Sequence, residues 1–568
     1  MVSMASDVKL DLSMRIVRHG DIAKVAFAAE VSVVAAMPCA EDGLGLTVGF
    51  EAVNAPSSDG LQAADKHSKR RAWPGRNAID IAKNLLRWKV TKCVNLPRKT
   101  GSPELAYRYA RYERRTRAKK MAKTLFDEVR TEQNIFSAWR HVKRSALTSG
   151  NADIRGKASE FEHAHQRHLK RIIGQLRTGK LSFDPVEGVL KDKRKRLAAG
   201  KDPRPIAIST IQNRVVQRAI LQVLQPRQAR NLRDPDTRYE AVRDDRLGRI
   251  NDVNQSKYGV GGLIYPHGGV RPAIETIMTA MDDGAKFYFQ SDIRAFFTKI
   301  PTDKVVDFIR RETGDEAFVE LFSKALEVHL RNEDELVGYT HLFPKGGIGV
   351  AQGSSLSAFA GNVLLYDMDQ HLNTMGVTAV RYIDDILMVA PDLASIDAAK
   401  TFAEKTLTDF GFGLYTPADG ADKAAEGKCS KSISFLGCTM QPKRCVPSNK
   451  SLENIKDSVQ ETLASSKAAI KEALAKRTTL NSKYSQSATL DAIGKRMYGW
   501  QKSFAFCNQL RPFEQLDDHI SKKVADYNGA IVRQLGKVDN RVKAMILGVP
   551  STAFMFENTR EKSAKKGD

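Results

Sequence analysis

The chain has 568 residues, too many for one ordinary core, so two to four structural units are expected. Lys and Arg number 90 against 66 Asp and Glu, a net charge of +24; with no hydrophobic anchor beside it, that surplus points to nucleic acid and away from a membrane. No run of about 18 apolar residues occurs, and the cysteines at 39, 93, 429, 438, 445 and 507 show no CxxC spacing. A membrane-spanning helix, a zinc knuckle and a disulfide framework are therefore not expected, and the chain reads as intracellular, reduced and cytoplasmic.

Residues 1 to about 70 carry mixed short apolar runs and a Pro/Ser/Gly loop at Ala55–Gly60. From Asn77, an N-cap residue, the pattern turns helical. Arg108–Lys123 is a basic helical stretch with Tyr107, Tyr109 and Tyr112 interleaved at its start. Such a mixture suits phosphates and unpaired bases as well as it suits a solvated face. Phe136–Lys143 is amphipathic, and one long helix is expected over about Lys157 to Leu176. Phe183–Arg196 reads as two short strands with a basic tip, continued by a strand over Lys201–Ile208. Pro203 and Pro205 hold Arg204 extended, which suits presentation of a guanidinium to phosphate. A helix follows over Asn213–Leu224, then a loop-like stretch over 227–255. The glycines at 259–269 lack the order of a phosphate-binding P-loop.

Three stretches carry chemistry. Phe287–Ile300 is a β-prone run ending in one carboxylate, Asp292, which in a buried strand must be paired, protonated or metal-bound. Helix is expected over Asp303–Leu330, then a small-residue loop, Gly346–Ser357, whose long polar side chain is Gln352, leading into helix over Ala358–Leu372. In Thr378–Ala390 two strand-length runs flank Asp384 and Asp385, placed by their pattern at a hairpin tip. Carboxylates about 5 Å apart at an effective dielectric near 20 repel by roughly 3 kcal/mol, which a divalent cation offsets. A helix follows over Ser395–Phe410, and Phe435–Gly437 closes a further strand pair. Beyond about Pro447 the chain turns to Lys/Ala/Ser-rich helices, from Asn454–Leu474 to a module containing Met497–Phe504 and Leu516–Ile520, with a charged tail from Glu561.

In this order, Arg204-Pro-Ile, Ser291–Phe297, Ala351–Ser357, Tyr382-Ile-Asp-Asp385 and Phe435-Leu-Gly437 resemble bacterial reverse transcriptases, those of group II introns, retrons and phage-defence systems. The resemblance covers roughly residues 130 to 440. It implies an α+β right-hand polymerase: fingers, a palm with an antiparallel sheet, and a helical thumb. The expected divisions are an N-terminal extension, partly helical and basic (1–125), fingers with an insertion that holds glycines 261, 262, 268 and 269 (126–290), palm (291–445), thumb and C-terminal helices (446–560), and a disordered tail (561–568). It further implies RNA-directed DNA synthesis by two-metal nucleotidyl transfer. Asp292, Asp384 and Asp385 would be catalytic and, with the Ile293 carbonyl, would hold Mg²⁺, with Mn²⁺ as the alternative. Lys201, Arg204, Gln352 and Phe297 would bind the nucleotide, Phe297 as a steric gate that selects dNTPs. Lys423 and Lys428 compete for the lysine expected before Phe435-Leu-Gly437. Ile383 is bulkier than the Ala or Met usual before the Asp pair. The implied partners are an RNA template, a structured non-coding RNA, together with DNA product, dNTPs and an oligomeric or protein partner, and no membrane. A stand-alone enzyme of phage defence fits the architecture. A maturase-like splicing factor of a mobile intron, and a template-independent or protein-primed DNA polymerase, remain as alternatives.

Overall fold

A computed structural model describes residues 8–13, 28–33, 123–229, 239–420, 423–476, 478–553 and 555–556. The expected helix from Asn77, the basic stretch Arg108–Lys123 and the tail from Glu561 lie outside the described residues, apart from Lys123 itself. The chain divides into two compact units, 1–109 and 110–568. The first contributes one antiparallel pair, β1 (Val8–Ser13) with β2 (Ala28–Val33).

The second unit is mixed helix and sheet. It opens with four helices, α1 (Leu125–Val129), α2 (Glu132–Leu147), α3 (Ala152–His163) and α4 (His165–Arg177). The single helix expected over 157–176 is thus two, broken at Ala164. A hairpin of β3 (Glu187–Lys191) and β4 (Arg204–Ile208) follows, with Lys191 opposite Arg204. Its basic tip is not a strand: Lys193–Ala198 forms a short helix, α5. Lys and Arg are good helix formers and nothing β-branched interrupts them, so local propensity wins there. Next come α6 (Ile211–Leu224), the short pair β5 (Arg227–Ala229) and β6 (Tyr239–Ala241), α7 (Ile250–Asn254) and α8 (Val270–Asp282). The stretch 227–255 therefore holds short elements where loop was expected.

The central sheet has the order β10–β7–β9–β8, antiparallel throughout. Its strands are β7 (Phe287–Asp292), β8 (Thr378–Tyr382), β9 (Asp385–Ala390) and β10 (Ala424–Lys428). Strand geometry sends alternate side chains to opposite faces. Ile386, Met388 and Ala390 enter the main core, while Leu387 and Val389 enter a second one with Ile274, Ile277 and Met281 of α8. Both faces being covered, β9 is apolar without alternation.

Between β7 and β8 lie α9 (Phe296–Lys299), α10 (Thr302–Thr313), α11 (Glu316–Leu326) and α12 (Ser357–Leu372). The helix expected over 303–330 is two, capped apart at Gly314 and Asp315. After β9 runs α13 (Leu393–Asp409). A small sheet of β11 (Ile433–Phe435), β12 (Cys438–Gln441) and β13 (Arg444–Pro447) continues the second core. The C-terminal helices α14 (Asn449–Lys476), α15 (Gln486–Ser503), α16 (Arg511–Leu535) and α17 (Asn540–Leu547) enclose a core of their own, where buried Tyr527 meets the Ser466 hydroxyl at 2.8 Å. Among the described residues no helix is long and apolar enough to cross a membrane.

Candidate active site

The turn between β8 and β9 consists of Ile383 and Asp384, because Tyr382 already pairs with Asp385. The hairpin tip thus holds one acid of the pair, and Asp385 is the first residue of β9. There it faces Asp292, the last residue of β7, across the ladder. The Ile293 amide donates to the Asp384 carbonyl at 2.8 Å, closing the turn onto the end of β7. Sheet register and a two-residue turn therefore bring Asp292, Asp384 and Asp385 together.

Their electrostatics follow from that convergence. Burial, then the hydrogen bond and charge from Asp292, then the charge of Asp384, push the Asp385 carboxyl up to about 8. Burial and the neighbouring Asp292 charge raise Asp384 as well. Lys423 forms an ion pair with Asp292. Burial works against the Lys423 charge, but the Asp292 contact outweighs it and holds the ammonium above its ordinary range. Three carboxyl groups against one lysine leave hard oxygen donors whose full ionisation the site alone disfavours. Such a donor set fits a divalent cation of the Mg²⁺ type. Lys428 lies at the far end of β10, opposite Phe287, so Lys423 is the lysine at the acids.

The other expected residues lie on a connected set of loops. Val350 N donates to the Phe297 carbonyl and Gly349 N to the Ile300 carbonyl, both at 2.7 Å, which fastens the Gln352 loop to α9. Ala351 packs on Val186 and Ala207, tying the same loop to the β3–β4 hairpin that carries exposed Arg204. Lys201 is exposed on the connection into β4. Phe296 is buried and Phe297 half-buried beside it, ring centroids 5.5 Å apart. A Cβ on Gly361 would stand 2.6 Å from the Phe296 ring, so glycine there admits that ring.

Sequence reading missed the residues that brace the turn. Arg381 lies in β8 and is 2 % exposed. Its guanidinium grips Asp369 of α12 at 3.0 and 2.6 Å, reaches Asn362 at 3.3 Å, and donates from Nη1 to the Ile383 carbonyl at 2.8 Å. Ile383 sits at φ +64°, a left-handed conformation that costs a β-branched residue about 1–2 kcal/mol. Gly261, one of the glycines expected in a fingers insertion, completes the brace together with Gly259. Val260 N bonds the Arg381 carbonyl at 2.9 Å, and Arg381 N bonds the Tyr258 carbonyl at 2.8 Å. A Cβ on Gly261 would stand 2.5 Å from the Ile383 amide, and one on Gly259 would strike Asp369. The available signal was a lone Arg in an otherwise apolar strand, because a buried charge implies a partner.

Tyr415 was also missed. Its amide donates to the Asp292 carbonyl at 3.2 Å, and Lys423 and Arg294 lie 5.1 and 4.2 Å from its ring centre. Away from the acids, Cys438, Cys445 and Cys507 bring their sulfurs within 4.8 Å of one another despite their unhelpful spacing.

Residues 191–440 match the family model described as "Reverse transcriptase (RNA-dependent DNA polymerase)". A Schizosaccharomyces pombe protein described as "Uncharacterized 91 kDa protein in cob intron" is 24 % identical over 207 residues, 36 % of this chain and 21 % of that protein. Protein YkfC of Escherichia coli is 25 % identical over 175 residues, 30 % of this chain and 37 % of its own length. The chain thus spans about a fifth and over a third of these two relatives. Among solved structures, a partial Cas6-RT-Cas1–Cas2 complex aligns with TM-score 0.28 at 19 % identity over 51 % of this chain and 42 % of that one. A Candida albicans telomerase with a fragment of telomeric RNA aligns with TM-score 0.31 at 12 % identity, over 63 % and 59 %.

Proposed function

We propose, from the match of residues 191–440 to the reverse transcriptase family, that the protein is an RNA-directed DNA polymerase adding dNTPs to a primer 3′-hydroxyl. The observation that carries the reading is the register pair Asp292–Asp385 with Asp384 in the adjoining turn. Asp292 and Asp384, supported by Asp385 and the Ile293 carbonyl, would hold two Mg²⁺ ions, with Mn²⁺ as substitute. Such ions, when bound, would supply activation of the attacking hydroxyl and charge neutralisation at the leaving pyrophosphate. Lys423, protonated and fixed on Asp292, supplies a positive charge beside the same carboxylates and is placed to give a proton to the departing phosphate oxygen. Arg204 and Lys201, on the exposed β3–β4 hairpin, bind the incoming triphosphate. Gln352 positions the nucleotide against its template, and half-buried Phe297 closes the space a ribose 2′-hydroxyl would need.

In this reading the helices and hairpins before β7 act as fingers, the four-stranded sheet as palm, and α14–α17 as thumb. The template is a structured RNA, and the setting is phage defence. Primer extension on an RNA template with dNTPs and Mg²⁺ tests the chemistry. Synthesis is expected to vanish in Asp384→Asn/Asp385→Asn, and Phe297→Ala is expected to admit NTPs. Full synthesis by the double variant would refute the assignment. Sequencing the nucleic acid that co-purifies from native cells tests the template and the setting.

A further inference from the structure

The helices α2 and α6 pack antiparallel. Ser137 of α2 bonds Gln222 of α6 at 3.4 Å, and Ser145 accepts from Arg214 at 3.1 Å. Midway between those two bonds, His141 lies opposite Arg218. Arg214 and Arg218 are four residues apart and share one face of α6. Arg144 stands one turn beyond His141 on α2. Arg227, in β5 just after α6, lays its guanidinium 4.6 Å from the ring centre of Tyr239. Four arginines therefore line one seam.

None of these arginines forms an ion pair among the described residues, whereas Lys143 on the same helix pairs with Glu162. Arg218 Nε is fully buried and has no hydrogen-bond partner. Burial, then the charge of Arg227, pushes the Arg218 guanidinium down to about 10. Burial and the four surrounding arginines push His141 down to about 4. Both shifts mark cations held together without a counter-charge among the described residues. A buried donor without an acceptor is costly, and several like charges around it add to that cost. An anion in the seam would relieve both.

Two features say which anion. Guanidinium forks match phosphate oxygens in bidentate geometry. Tyr239 is 46 % exposed and carries Arg227 on its ring, an aromatic placed to stack with an unpaired base. An acidic protein segment would use the first feature but not the second.

We propose that the α2–α6 seam is a nucleic-acid contact separate from the acidic site, with Arg214, Arg218 and Arg227 binding backbone phosphates of single-stranded RNA beside Tyr239. The inference rests on the polymerase reading only in naming RNA as the ligand. Since α2 precedes residue 191, half of the seam lies outside the matched domain.

The test is fluorescence anisotropy of the full chain with a labelled single-stranded RNA of about 20 nucleotides, across a salt series. Each phosphate contact removed flattens the plot of log affinity against log salt by about 0.7 for a single strand. Arg218→Gln is expected to lose about one such increment and Arg214→Gln/Arg227→Gln about two, with Tyr239→Ala weakening binding at unchanged slope. Arg218→Lys, which keeps the charge, is expected to keep most of the slope. In primer extension, Arg214→Gln/Arg227→Gln should raise the KM for template while kcat at saturating template stays unchanged. Wild-type slopes in the Gln variants would overturn the seam while leaving the polymerase reading standing. So would an Arg218→Lys as defective as Arg218→Gln, since a purely structural role would produce it. A wild-type chain whose RNA binding ignores salt would overturn the seam as well.

Discussion

Two clusters of unbalanced charge lie in the second unit, opposite in sign and assembled by different means. At the end of the central sheet three carboxylates meet one lysine, placed there by strand register and a two-residue turn. Along the α2–α6 seam four arginines meet no acid among the described residues, three placed there by helix packing and Arg227 by the strand that follows α6. Between these extremes stands Arg381–Asp369, a fully buried pair whose charges cancel. That pair is buried, balanced and hydrogen-bonded, whereas neither cluster has a balancing charge among the described residues. The acidic cluster fits divalent cations, and the basic one fits phosphates.

The largest effect should come from the acidic cluster. Asp384→Asn is expected to lower the rate of primer extension by at least about a thousandfold, since the metal supplies several kcal/mol of charge stabilisation. A rate within tenfold of wild type would remove the acids from the chemistry.

The neutral pair comes next. Breaking it by Arg381→Ala should cost about 3–5 kcal/mol in urea unfolding, because Asp369 is then left buried and unpaired. Replacing both partners, in Arg381→Met/Asp369→Leu, should recover most of that stability. Polymerisation should nevertheless remain low in the double variant, since nothing then holds the Ile383 carbonyl. Recovery of activity along with stability would make Arg381 merely structural and blur the contrast with the acids.

A smaller effect is expected at Gly261→Ala. The added methyl meets the Ile383 backbone, and overpacking of this kind costs about 1–3 kcal/mol. Activity should fall further than stability, read as a lower kcat at unchanged template KM.

The subtlest test uses pH. With Asp385 raised to about 8, the folded chain keeps a proton that the unfolded chain, with Asp near 4, has lost. That contribution to stability is fully present below about pH 4 and is lost as pH rises through about 8. In chelator, Tm should decline across this window, and Mg²⁺ should restore it most at the alkaline end. Asp385→Asn should flatten the decline; an unchanged decline would mean that the acidic cluster carries no strain for a cation to relieve.

Much of the candidate site was legible in the sequence because it is local. Asp292 ends a β-prone run, Asp384 and Asp385 interrupt another, and Gln352 stands alone in a small-residue loop. The break at Gly314 carried a signal that the apolar pattern overrode, a left-handed Gly followed by the N-cap Asp315, whereas the break at Ala164 carried none, since Ala164 makes no side-chain cap bond. Nor was the tip of the β3–β4 hairpin legible, where Lys193–Ala198 follows its own helix propensity inside a strand-to-strand connection.

The sequence by itself determined the candidate carriers of the chemistry and their order along the chain, because strand composition, turn residues and acid spacing are properties of neighbours. Only the tertiary structure decided which acid faces which, that Lys423 and not Lys428 reaches Asp292, and that Arg381, Asp369 and Gly261 brace the turn. These depend on register and on approaches between segments far apart in the chain, where one residue of slip would turn every side chain to the other face. The hairpin tip shows the division. Its two acids are plain in the sequence, but only pairing across the sheet puts Asp385 on the strand, Asp384 in the turn and a strained Ile383 beside them.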